Sequence, residues 1–326
     1  MCAERDRHQR ATASAATPDW VAAHERGSMT MLRVMTYISF QLGRPVARVV
    51  LHGIAAYFFA FAPRARGQMR AYLRRALRRE PTAVDRYRLV LSFASTIHDR
   101  LYLMRERYEL FDISLEGEQT VAKRFQRGEG AFLIGAHVGS FEVIRAIGRR
   151  QPGVAVAMAM YEDNARKLNA MLTAVNPRLR LEVIRLGTMD SMLQIRERLD
   201  AGAFVGVLGD RTFGPERYEP VEFLGTTAWF PTSAMRAAAM LHRSVIFMAG
   251  LYRGGNRYHV IFEELADFTE VTTGQREQAV RTAIERFAAV LERLCRSDPY
   301  NWFNFFDFWR EPESRPSWAS LRNEPD

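Results

Sequence analysis

The chain has 326 residues, 48% hydrophobic and 25% charged, which excludes intrinsic disorder and a small disulfide-stapled scaffold and leaves room for one large or two modest apolar cores. Its formal net charge is +9, and all but Lys123 and Lys167 of its 46 basic residues are arginine. That excess points to an anionic partner, nucleic acid or an anionic membrane surface, and the placement of the charge decides between them.

Two cysteines, Cys2 and Cys295, stand at opposite ends with no CxxC spacing, so neither a disulfide framework nor a metal site is encoded and a reducing, cytoplasmic compartment is expected. Residues 1–28 are polar, lack the apolar stretch of a secretory signal, and read as a flexible lead-in. Residues 46–62, VARVVLHGIAAYFFAFA, are the most apolar run in the chain, but Arg48 and His52 interrupt it. Its length falls at the lower limit of the roughly 17–25 residues a span needs, so an interfacial helix is favoured over a crossing one. Nine arginines follow between positions 64 and 88, opposed only by Glu80 and Asp85. An apolar helix followed by an arginine stripe suits an anionic lipid surface. The competing reading is a buried helix followed by a solvated basic one. No helix-turn-helix, zinc-finger or RNA-binding signature accompanies the arginines, so nucleic acid is not expected as a partner. Residues 29–110 are therefore assigned to a helical, membrane-associating segment, and 111–326 to one continuous domain.

Beyond residue 130, short apolar runs alternate with helical patterns: 131–136, 154–160, 181–186, 203–209 and 245–253 read as buried strands. The fold class is therefore α/β, a mainly parallel central sheet flanked by helices. A helix over 188–201 is expected to bury Met189, Met192, Leu193 and Leu199 on one face. Another follows Gly274, with Val280, Ile284, Phe287, Leu291 and Leu294 at helical spacing, and Pro231 is expected to open a third.

In such sheets chemistry gathers where strands end. The first strand runs into Gly135-Ala136-His137-Val138-Gly139-Ser140-Phe141-Glu142. Five residues of helix advance about 500°, so His137 and Glu142 cannot share a helical face. His137 is therefore placed in the turn and Glu142 in the first helical turn, where its carboxylate reaches the imidazole, fixes the tautomer and stabilises the imidazolium. Ser140 lacks the G-x-S-x-G elbow of a serine hydrolase, and the segment lacks the second histidine of a zinc site. By itself the spacing is also common between an unrelated His and Glu.

In context, HVGSFE resembles the H-x4-(D/E) box of the glycerolipid acyltransferases, and most closely that of the bacterial lipid A late acyltransferases, which carry lauroyl or myristoyl groups. Asp210-Arg211-Thr212-Phe213-Gly214 stands where that branch often has Asp-Gln-Asp-Tyr-Gly, and the segment 221–247 is similar to its Phe-Gly, Phe-Pro-Thr and small-residue helix. With the apolar N-terminal helix, the resemblance covers about residues 30–310 in three ordered blocks. HVGSFE, GDRTFG and the aromatic run 301–309 look still more like the acyltransferases associated with aryl polyene and xanthomonadin-type pigments.

The resemblance implies direct acyl transfer from a thioester donor, acyl carrier protein or coenzyme A, to a hydroxyl of a lipid or glycolipid at the cytoplasmic face of the inner membrane, without a cofactor or an acyl-enzyme. His137 and Glu142 are then the catalytic pair. Backbone N–H groups of the Gly139 to Phe141 turn, Gly139 and Ser140 above all, are expected to hold the oxyanion. Asp210 and Arg211 should open on the same edge as His137 and position substrate, with Arg211 suited to a phosphate and Ser140 a further contact. The branch's arginine between its blocks has candidates in Arg178, Arg180 and Arg185, of which Arg185 ends a predicted strand. Seven of the ten residues 300–309 are aromatic, which fits core packing, an acyl-channel wall or a second interfacial contact. An esterase or thioesterase using the same pair, and a non-catalytic membrane-binding protein, are the alternatives.

Overall fold

A computed structural model describes residues 29–151, 153–161, 182–188, 190–211 and 217–311. Four helices open it: α1 (Met29–Gln41), α2 (Gly43–Phe61), α3 (Pro63–Leu77) and α4 (Ala83–Met104). Pro63 sits at the first position of α3, where its missing N–H costs nothing, and the chain turns there by 99°. Thr82 caps α4 in a reciprocal box with Asp85.

The central sheet has seven strands in the order β1 (Asp112–Glu116), β9 (Arg257–Asp267), β8 (Ser244–Tyr252), β2 (Phe132–Gly139), β5 (Phe204–Leu208), β3 (Val156–Tyr161) and β4 (Val183–Leu186). All neighbours are parallel except β8 and β9. A separate antiparallel ribbon pairs β6 (Tyr218–Phe223) with β7 (Thr226–Pro231). The remaining helices are α5 (Glu118–Gln126), α6 (Phe141–Arg150), α7 (Ser191–Asp200), α8 (Ser233–Met240) and α9 (Arg276–Ser297). The mixed α/β class with a mainly parallel sheet is as the sequence indicates.

Strand alternation divides β2 between two cores. Phe132, Ile134, Ala136 and Val138 pack with α3, α8, α9 and the aromatic C-terminal segment. Leu133 packs on the other face with Val143 and Ile144 of α6 and Tyr102 of α4. The helix after Gly274 buries the five apolar residues expected of it. In α7 the expected face is wrong: Ser191, Ile195 and Leu199 are buried, whereas Leu193 is 58% exposed and Met192 is also exposed; Met189 lies outside the described residues. Leu193 stands two positions from both Ser191 and Ile195, about 200° around the axis and so opposite the i, i+4, i+8 stripe that meets the sheet, while Met192 lies on the flank of that stripe. Pro231 ends β7 instead of opening a helix, and α8 starts two residues later.

Most of the aromatic run is core. Trp302, Phe303 and Phe308 are buried, and Trp302 packs edge-on against Tyr72, Phe223 and Phe308. A second buried network ties α1, α2 and α4 to the sheet. Arg44 grips Asp99 with two hydrogen bonds of 2.8 and 2.9 Å, and the Tyr258 hydroxyl donates to the same carboxylate at 2.8 Å.

Candidate active site

His137 lies in the last stretch of β2, beyond the point where its ladder with β5 ends at Gly135 and where the register with β8 shifts. The turn begins only at Ser140, so the histidine is strand-borne. The C-terminal segment takes over as the missing neighbour: Phe303 N–H donates to the His137 carbonyl at 2.8 Å, Gly139 N–H to the Asn301 carbonyl at 2.8 Å, and Val138 bridges Trp302. The Asn301 side chain in turn clamps the Tyr252 backbone through both its amide atoms. Gly139 is obligatory here. Its φ is +65°, and a Cβ would stand 2.0 Å from the Gly250 carbonyl oxygen.

Asp210, two residues past β5, folds back onto β2. Its Oδ1 stands 2.9 Å from His137 Nδ1, and its Oδ2 accepts the His137 backbone N–H at 3.0 Å and Trp302 Nε1–H at 3.4 Å. The carboxylate is fully buried, which by itself would raise its pKa, but His137 and Arg211 overcome that and hold it well below the usual carboxylate range. An ionised Asp210 makes Nδ1 the protonated nitrogen of a neutral His137 and leaves Nε2 as the acceptor. Burial, reinforced by the Arg211 charge and opposed by Asp210, lowers the histidine pKa, so the imidazole is neutral at physiological pH. The ring remains 36% exposed, which gives a substrate access to it.

The structure thus corrects the expected pairing. Glu142 does not touch His137. It is buried in the first turn of α6, with Oε2 2.5 Å from Arg145 Nη2 and Oε1 3.7 Å from Arg100 Nε of α4. Position accounts for this: His137 stays in the strand, with three residues between it and the helix start at Phe141, so Glu142 is carried past it and turned towards α4. The expected oxyanion donors are corrected too. Gly139 N–H is bound to Asn301 and Ser140 N–H to the Gly250 carbonyl at 2.7 Å, so both are already occupied. Ser140 makes no side-chain cap, and the first amides of α6, from Phe141 onward, are the ones a helix leaves without an internal partner.

Arg211 joins the site beside Asp210. Its Nη2 donates to the Phe303 carbonyl at 3.1 Å, its guanidinium lies 4.6 Å from the Phe306 ring centre, and its buried Nε has no hydrogen-bond partner. Arg185 is not brought in. It sits exposed on the sheet-edge strand β4, three strands from β2, about 14 Å at normal strand spacing. Arg178, Arg180 and Thr212 lie outside the described residues. Trp302, Asn301 and Phe303 are site-building residues that sequence reasoning left among core aromatics; no spacing signal links them to β2.

Cys295 is a buried core residue whose thiol is pushed up by burial, unlike an activated nucleophile. Among the described residues no three His, Cys, Asp or Glu side chains converge as metal ligands. Five polar groups do converge at the exit of β2 and β5: a neutral imidazole with one nitrogen open, its ionised carboxylate, a guanidinium, an indole N–H and a helix N-terminus. That arrangement can remove a proton and stabilise the resulting charge.

The family model described as bacterial lipid A biosynthesis acyltransferase matches residues 25–311. No curated protein matches the chain.

Proposed function

Because the chain belongs to the bacterial lipid A biosynthesis acyltransferase family, and is an acyltransferase acting on a lipid, we propose that His137 is its general base and Asp210 the orienting carboxylate. The observation that carries this is the 2.9 Å contact from Asp210 to Nδ1, which leaves a neutral Nε2 at the exposed edge.

In this mechanism Nε2 takes the proton of an acceptor hydroxyl as its oxygen attacks the thioester carbonyl of the donor, an acyl carrier protein or coenzyme A. Negative charge passes to the carbonyl oxygen, which the first amides of α6 and the Arg211 guanidinium stabilise. Collapse breaks the C–S bond, and the thiolate leaves with the proton held by His137. No bond to the protein forms. Asp210 stabilises the transient imidazolium without receiving its proton, as in the carboxylate of a serine protease triad. Glu142 acts as a positioning residue, pairing within α6 to Arg145 and across to Arg100 of α4.

The family is membrane-associated, and among the described residues no single helix is long and apolar enough to cross a bilayer. The surface proposed to meet the lipid is α2, where Val46, Val49, Tyr57 and Phe61 stand 44–73% exposed on a largely apolar helix. Residues 29–110 are thus the docking segment and 111–326 the catalytic domain, at the cytoplasmic face of the inner membrane. Incubating membranes with labelled acyl carrier protein tests the whole reading. Wild-type protein should acylate a lipid, and His137→Ala should abolish transfer while the chain remains folded. Unchanged turnover in that variant refutes the base, and free acid released faster than lipid is acylated assigns a thioesterase instead.

A further inference from the structure

Most of the aromatic segment is core, but from Phe303 the rings continue outward to solvent beside His137. The bridge between Val138 and Trp302 is antiparallel, and it is flanked by the bonds from Phe303 N–H to the His137 carbonyl and from Gly139 N–H to the Asn301 carbonyl. His137 and Phe303 are therefore directly opposed, with their side chains on one face and their Cβ atoms about 5 Å apart. Phe93 of α4 packs edge-on against both Phe303 and Phe305, its ring centre 5.2 Å from each. Phe303 is buried beneath this contact, whereas Phe93 is 36% exposed and Phe305 is half-buried. The face of α4 that carries Phe93 also borders the site: Arg100, seven residues on and so on the same face, approaches Glu142 in the first turn of α6.

We propose that Phe93 and Phe305, backed by Phe303, form the surface on which the donor's acyl chain lies, and that Phe93 sets the preference among acyl chains. This rests on the acyl-transfer reading above. Connectivity carries the argument. The acceptor oxygen stands within about 3 Å of Nε2, and the carbonyl carbon within about 3.5 Å of that oxygen. The acyl chain begins one bond further, so its first carbons fall among the side chains that neighbour His137, and Phe303 is the apolar one directly opposite. The alkyl chains of a lipid acceptor are set back from the attacking hydroxyl by its head group and begin farther away. A chain leaving the carbonyl away from the rings would instead meet polar groups: the Phe303 carbonyl accepts from Arg211, whose guanidinium lies on Phe306. An exposed phenylalanine standing alone needs no explanation, but a run of rings that starts at the reacting imidazole provides the apolar contact an acyl chain requires.

Equilibrium binding to the full chain tests this without turnover. The probes are S-butyl- and S-decyl-4′-phosphopantetheine, thioethers that carry the arm common to both donors and cannot transfer. Each methylene in contact should tighten binding up to about fourfold, so the decyl probe should bind far better than the butyl one. Phe93→Ala should lower the decyl-to-butyl affinity ratio about tenfold, and Phe93→Leu, which keeps most of the apolar surface, should restore much of it. If Phe93→Ala does not fold, Phe305→Ala decides the matter in its place. A ratio equal to wild type in the alanine variants, or a wild-type chain that binds neither probe or does not discriminate between them, overturns the proposal. Weaker cosedimentation of Phe93→Ala with anionic vesicles at an unchanged ratio would assign the rings to the membrane instead. Displacement of the decyl probe by short-chain phosphatidic acid below its micelle concentration, lost in Phe93→Ala, would give the surface to the acceptor and overturn the assignment to the donor. Because the probes do not react, the two readings fail separately: acyl transfer persisting in His137→Ala would refute the base and leave the alkyl site standing, and an unchanged ratio would remove the site and leave the base.

Discussion

Replacing Asp210 with asparagine removes one charge from the buried side of His137 and keeps the side chain's shape. The charge pair formed at catalysis spans 2.9 Å, worth about 6 kcal/mol at an effective dielectric constant of ~20. The imidazole is 36% exposed, so solvent screening brings this to about 3 kcal/mol, which is a kcat roughly 10²-fold lower. The amide also leaves one of three donors unmatched, since Asp210 accepts from His137 Nδ1, the His137 backbone and Trp302; about 1–3 kcal/mol of stability should be lost. The pH profile carries the sharper sign. Asp210 favours protonated His137, so its loss lowers the histidine pKa further, with Arg211 unopposed, and the acid limb of kcat moves to lower pH. Acyl transfer measured from pH 5 to 9, beside thermal unfolding, reads both effects. Glu142→Gln should lower the unfolding midpoint by disturbing the Arg145 and Arg100 pairs without moving that limb. If Asp210→Asn keeps its rate and its limb while Glu142→Gln shifts both, the orienting carboxylate is Glu142 and not Asp210.

Gly139→Ala places a Cβ 2.0 Å from the Gly250 carbonyl at a φ of +65°, so it should cost about 3 kcal/mol or more, and a thermal midpoint within ~2 °C of wild type would contradict the close approach of β2 to β8. Burial holds His98 at about 4, against about 6.5 when unfolded, so the unfolded chain binds the proton first as pH falls. Stability should therefore drop between about pH 6.5 and 4, by up to roughly 3 kcal/mol; urea unfolding at several pH values checks this, and a His98→Gln chain with an equally steep decline would exclude His98 as its source. Val49→Glu, at a position 73% exposed on α2, should reduce cosedimentation with anionic vesicles several-fold without changing the unfolding midpoint, and unchanged binding would remove α2 from the docking surface.

Legibility in the sequence followed apolar continuity. Strands β2, β3, β5 and β8 are largely buried runs and, with the short edge strand β4, stand out within a few residues of their observed ends. β1 reads DISLE and is largely exposed at the sheet edge, and β9 carries Glu263 and Glu264 among its apolar residues, so neither offers such a run. The candidate site was half legible. His137 is marked by closing a buried apolar run, and Asp210 by standing after another strand, which the topology makes its neighbour. Their pairing is not a local property: 73 residues separate them, and no spacing rule selects a partner across adjacent parallel strands. Glu142 drew attention because it is near in sequence, but a five-residue interval fixes a contact only if the helix start is known. Here three residues of strand and turn lie between His137 and α6, enough to send the carboxylate to Arg145.

The arginine stripe that suggested a membrane surface also reaches the candidate site through packing. Arg79 pairs with Asp85 at 2.8 and 3.1 Å, and Asp85 accepts the Tyr300 hydroxyl at 2.7 Å. Arg88 lies 5.9 Å from the Tyr300 ring centre, and Arg75 lies 4.2 Å from that of Trp309. These contacts fix both ends of the segment whose middle supplies Asn301 to Gly139, Trp302 to Asp210 and Phe303 to His137. Arg66 and Arg78, by contrast, form no ion pair among the described residues. The helical layer is thus packed, through the aromatic segment, against the residues that hold the proposed His137–Asp210 pair.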